Sequence, residues 1–331
     1  MKEMHDDIKL TSSEIAMLWQ NYSNDTLGIC MMSYFLHHIE NSSIRSMLEY
    51  SLELSQQHVN YLDDLFKKED YPIPIAFREN DVNKEAGKLF SDTFVLFYLQ
   101  GMGATSMNAY TMALRNAARK DIRIYFTKCL ESTAELYNRT SDVLQEKGLF
   151  VRSPALPYPE KVEFVEKQHF LAGWIGEQRP LTMVEILFLF SNFYRNAQGK
   201  VLLEGFSQVA HSKEVRKYMK RGAEIAKHHC KVFAKFLEEN DVIVPMSWDL
   251  NITNSTESPF SDKLMMFHTT ALNNVGMDYY GRSMGGSPRR DLAAAYVRLM
   301  IEVGEYGEDG MNMMIEQKWM EQPPSVPNRK K

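Results

Sequence analysis

The chain has 331 residues, a formal net charge of −5 and 44% hydrophobic residues, enough for two hydrophobic cores of ordinary composition. The acidic balance argues against a nucleic-acid surface, which needs clustered Lys and Arg. The N-terminus MKEMHDDIKLTSSE lacks the apolar stretch of a signal peptide, and no apolar run reaches the ~18 residues of a membrane span, so a cytoplasmic protein is expected.

A capping box, Thr11-x-x-Glu14, opens the first helix. Its apolar stripe (Ile15, Leu18, Tyr22, Ile29, Met32, Leu36) runs to about residue 39. Asn41-Ser42-Ser43 is a short break, which forces the second helix to lie antiparallel to the first. That helix shows Ile44, Met47, Ser51, Leu54, His58, Tyr61 and Leu65 at helical spacing, a seam with a small residue and then a histidine. Asp70-Tyr71-Pro72-Ile73-Pro74 stops it. The polar stretch that follows is long for a compact domain and reads as a crossover along a bundle. Ser91-Asp92 caps a third helix, and Arg119-Lys120-Asp121 turns tightly into a fourth that ends near Gly148. Short, long, short is the loop pattern of a four-helix bundle with one crossover.

After a proline-bearing linker the pattern restarts. Leu181-Thr182-x-x-Glu185-Ile186 repeats Leu10-Thr11-x-x-Glu14-Ile15. The stretch VRKYMKRGAEIAKHHCKVFAKFLEENDVIVP repeats the second helix, with Arg216, Glu224, His229, Asp241 and Pro245 on Arg45, Glu53, His58, Asp70 and Pro74. Phe260-Ser261-Asp262 repeats Phe90-Ser91-Asp92, and Tyr280, Arg289, Asp291 and Glu305 fall on Tyr110, Arg119, Asp121 and Glu135. A repeat of this length means two copies of a whole domain, here residues 1–160 and 161–331. The fold class expected is all-α, two tandem ferritin-like four-helix bundles, each with a long crossover. Gly28 and Gly199 match in mid-helix, where glycine costs about 1 kcal/mol against alanine, so a close contact is expected there.

The doubled order of Thr-x-x-Glu-Ile, mid-helix His, Pro after the second helix, Phe-Ser-Asp opening the third and Pro-x-x-Pro after the fourth resembles a family of uncharacterised proteins of spore-forming Bacillus-type bacteria. Its members are single or tandem ferritin-like bundles, distantly similar to the spore-coat protein F group. The resemblance implies the fold and a sporulation context. It brings no catalytic residues with it.

Ferritin-like di-iron centres take a Glu from each of two helices and Glu-x-x-His from the other two. This sequence departs from that pattern. By level, His58 is expected beside Asn108 and the span from Glu131 to Glu135, and His229 beside Asp278 and Glu302 or Glu305. The first helix offers Tyr22, Thr26 and Ile29 there and no carboxylate. One polar layer thus crosses each bundle. It reads either as a structural network that fixes helix register, or as a site for zinc, iron or manganese built from His58, Glu135, His229, Asp278 and Glu305. Two irons would need more carboxylates than the layer holds. The three cysteines, Cys30, Cys129 and Cys230, are an odd number and read as buried thiols. The function expected is that of a non-enzymatic structural or interaction protein of a spore-former, with metal-binding or redox chemistry as the alternative. Its partners would be itself or other spore proteins, as a monomer with an internal pseudo-dimer or as a homodimer.

Overall fold

The structure is a computed structural model that describes residues 8–173, 178–244 and 252–326. Pro245, Pro327 and the basic tail from 329 to 331 lie outside the described residues. Among the described residues it is all-helical, with eight α-helices, and Val82 and Phe260 form an isolated bridge. The chain packs as two compact units. One comprises residues 1–149, 255–264 and 315–331, the other residues 150–254 and 265–314.

The first unit is a four-helix bundle of α1 (Ser12–His38), α2 (Ser42–Lys68), α3 (Asp92–Asn116) and α4 (Lys120–Glu146). Helix α1 touches α2 and α3, and α4 touches α3 and α2. The long segment between α2 and α3 is the expected crossover. It includes a 3-10 turn at Glu79–Asp81, and beside it Ser261 N donates to Asp81 O at 2.9 Å. Leu18, Leu48, Leu62, Phe66, Leu96, Ile122 and Leu144 are fully buried and form the core. The second unit holds α5 (Met183–Val209), α6 (Lys213–Glu238), the bulk of α7 (Asp262–Gly286) and α8 (Arg290–Glu316). Its core includes Val201, Phe206, Met219, Leu237, Leu292 and Leu299.

Many residues shared by the repeats are joints between helices. Glu14 closes its own cap, with Thr11 N at 2.8 Å, and its other oxygen accepts from Ala118 N at 2.9 Å and Arg119 N at 2.7 Å, at the start of α4. Glu185 does the same with Thr182 N at 2.8 Å and Arg289 N at 3.2 Å. Burial opposes ionisation of both, but the hydrogen bonds hold each carboxyl below its ordinary range. Arg45 donates to Leu36 O and Ile39 O at the end of α1, and Arg216 to Ala210 O at the end of α5, satisfying carbonyls that a helix end leaves open. Asp70 and Asp241 adopt left-handed φ of 50° and 55° just past α2 and α6, a conformation that Asp tolerates better than most residues.

The mid-helix glycines turn out differently. A Cβ on Gly28 would lie 3.2 Å from the Ser55 hydroxyl, while one on Gly199 would meet nothing within 4 Å. The close contacts fall at Gly222 and Gly310 instead. A Cβ there would overlap the Tyr306 and Tyr218 hydroxyls respectively. These two tyrosines stack at 4.2 Å, and each hydroxyl donates to the other's backbone carbonyl, at 3.0 and 3.1 Å. Each ring thus lies across the turn that carries the facing glycine, four residues beyond the facing tyrosine.

Candidate functional site

Both seam histidines point inward. His58 is 8% exposed and His229 0%. Burial of an imidazole without partners is costly, and the two units meet that cost with opposite chemistry.

In the first unit the partner is Asp25 on α1, whose oxygens lie 3.2 and 3.3 Å from His58 Nδ1. Asp25 is itself buried. It also accepts from the Asn21 amide, and Asn21 Oδ1 accepts from the Tyr125 hydroxyl at 3.0 Å. The Tyr110 hydroxyl lies 3.5 Å from the same ring nitrogen, and Cys129 is a further hydrogen-bond neighbour of the ring. Burial works against a charge on His58, but the attraction and hydrogen bond of Asp25, helped by Cys129, lift it to about 10. His58 is therefore an imidazolium at neutral pH, paired with a carboxylate inside the bundle. Burial raises Tyr110 and Tyr125 well above the ordinary phenol range, so both remain hydroxyl donors.

In the second unit the residue matching Asp25 is Asn196, an amide. Its Nδ2 donates to the Tyr280 hydroxyl at 2.8 Å, and that hydroxyl meets His229 Nδ1 at 2.8 Å. His229 Nε2 meets Glu302 on α8 at 3.0 Å. Burial lowers His229, and Glu302 only partly offsets this. The assignment that satisfies every group is a neutral ring that accepts from Tyr280 at Nδ1 and donates to Glu302 at Nε2. Nearby, Asn192 donates to Ser283 Oγ at 2.8 Å. Exchange of one oxygen for one NH₂, Asp25 against Asn196, reverses the direction of the hydrogen-bond chain.

The other residues expected in the layer lie elsewhere. Glu135 is exposed and pairs with Arg139, one turn along α4, at 2.7 Å. Asp278 is exposed and pairs with Arg282, one turn along α7, at 2.8 Å. Glu305 is exposed as well, and the α8 acid at His229 is Glu302. The structure thus brings together His229 with Glu302 and His58 with Asp25. It does not bring His58 to Glu135, nor His229 to Asp278 or Glu305. Asp25 supplies a first-helix carboxylate, against the expectation that the first helix offers none at this level. Among the described residues, no group of three or more His, Cys, Asp and Glu is arranged to hold a metal ion. Cys30 and Cys129 are buried and Cys230 is partly so, all three as free thiols.

The family described as protein of unknown function DUF3231 matches residues 1–162 and again residues 169–331. The chain belongs to this family. It carries two tandem DUF3231 copies, and the capping glutamates, the arginines at the first interhelical turn and the buried histidines recur in both. A solved structure of a "putative spore coat protein" from Bacillus halodurans is similar over 45% of this chain and 98% of its own length, with 13% identity and a TM-score of 0.42. No curated protein matches the chain. Among the described residues, no helix is long and apolar enough to cross a membrane.

Proposed function

We propose that this DUF3231 chain is a non-enzymatic structural protein of a spore-former that acts by packing against itself or other spore proteins. The observation that carries this reading is the use of the buried histidines. The ring nitrogens for which contacts are described, His58 Nδ1 and both nitrogens of His229, face partners within their own bundle. Such a layer fixes helix register, because a slipped helix would strand buried polar groups at a cost of about 1–3 kcal/mol each. A metal at His58 Nδ1 would have to displace the proton held by Asp25, since a ligating nitrogen must be deprotonated. The sporulation context is carried over from the sequence resemblance.

Metal content of the purified full chain tests the reading. Well below one equivalent of zinc, iron or manganese per chain is expected after growth in metal-supplemented medium. A stoichiometric metal that disappears in a His58→Leu or His229→Leu variant would overturn it in favour of a metal-binding role. Antibody detection in fractionated spores and vegetative cells of a host carrying the gene tests the context, with signal expected in the spore fraction.

A further inference from the structure

We infer that the exposed face formed by α6 and α8 is a self-association surface, whose occupant is the same face of a second copy of this chain. The inference rests on the structural reading above and names its partner. Helix α6 carries eight Lys and Arg against three Glu. Its cations, among them Lys220, Lys227 and Lys231, are exposed. From residue 299 onward α8 carries five acids and no Lys or Arg. Beside those acids it exposes Ile301 at 58%.

The corresponding helices of the first unit show neither feature. Helix α2 has three Lys and Arg against four acids. The position matching Ile301 is Glu131. The same backbone therefore does not require a face of segregated charge, and the second unit carries one.

Arg221 pairs with Asp309 at 2.6 Å and His229 with Glu302 at 3.0 Å, so α6 and α8 run antiparallel side by side. Lys220 is then within a turn of the level of Glu308, and Lys227 within a turn of Glu305. A two-fold axis lying in this face, parallel to the helices, sets α6 of one copy opposite α8 of the other. Each basic ridge then meets an acidic one at the same level, twice. Complementary charge selects a second copy over an unrelated apolar partner, because the face is self-complementary only under this operation.

The test is sedimentation of the full chain at about 0.1 M and about 0.5 M salt, where screening weakens exposed charge pairs. A dimer of the 38.4 kDa chain, weaker at the higher salt, is the expected result. K220E/K227E and E305K/E308K, each confirmed as folded by circular dichroism, should each dissociate at least about tenfold more readily. Mixing the two variants should restore the dimer, since both contacts of the mixed pair then join opposite charges. A wild-type monomer at all concentrations, or variants that fail to pair when mixed, would overturn the inference. If the wild type is monomeric and binds heparin, and K220E/K227E does not, the basic ridge serves a polyanion instead. The two proposals fail separately. A metal-free monomer removes this inference alone, and a metal-loaded dimer removes the structural reading alone.

Discussion

The two bundles solve one problem in two ways. Each buries a histidine at the same seam position of its second helix. In the first unit Asp25 faces the ring and makes it an imidazolium within a buried ion pair. In the second, Asn196 acts through Tyr280 and the ring is neutral, with Glu302 at 39% side-chain exposure on the far nitrogen. Two copies of one fold thus hold opposite charge states at one site. What the backbone specifies is a polar layer, and a single side chain on the first helix decides its protonation.

The sharpest way to break this comparison is to remove each ring. His58→Leu leaves Asp25 buried beside an apolar group, and loss of one member of a buried pair costs about 3–5 kcal/mol. His229→Leu leaves Tyr280 hydrogen-bonded to Asn196 and lets Glu302 turn to water, so about 1–2 kcal/mol is expected. Hydrogen exchange of α2 and α6 amides reads each unit separately, which a single melting curve for a two-unit chain does not. Equal costs would contradict the contrast.

The pH dependence should differ in sign. His58 has a folded value of about 10, above the unfolded 6.5, so its contribution is complete below about pH 6.5 and is lost as pH rises through 10. His229 is lowered, so its contribution is present above about pH 6.5 and is lost as pH falls through the folded value. Alkali is therefore expected to loosen the first unit selectively, and mild acid the second. Asp25→Asn should abolish the alkaline loss. An unchanged alkaline profile in that variant would remove the ion pair as its cause.

Smaller effects come from the glycines. Gly222→Ala or Gly310→Ala drives a methyl into a stacked, hydrogen-bonded tyrosine pair, and about 1–3 kcal/mol of destabilisation is expected, confined to the second unit. Gly199→Ala enters open space and should stabilise by up to about 1 kcal/mol. For Gly28→Ala, Ser55 must give way slightly, and a change near zero is expected in thermal unfolding.

The helices, their caps, the crossover and the repeat register were legible in the sequence because they rest on local chemistry: capping boxes, a 3.6-residue period and proline stops. The inward direction of both histidines was legible for the same reason. Asp25 was not. Helix α1 is buried on several sides, with Asn21, Tyr22, Ser23, Asp25, Thr26 and Leu27 all inside, so a single apolar stripe fails to mark its inner face. The available signal was that Asp25 is the sole acidic or basic side chain, histidines aside, between Glu14 and Glu40. Glu135 and Glu305 were placed by height along the bundle, and height does not fix direction around a helix. Glu302 and Glu305 are three residues apart, and only Glu302 reaches the histidine.

The most direct test is long-range proton–nitrogen NMR of the histidine rings at about pH 8, where a free imidazole with its ordinary value near 6.5 is neutral, recorded without metal and with added zinc. The expected result is an imidazolium pattern for His58 and a neutral pattern for His229, protonated at Nε2, both unchanged by zinc. A neutral His58, or a ring proton at either residue displaced by zinc, would contradict a structural polar layer.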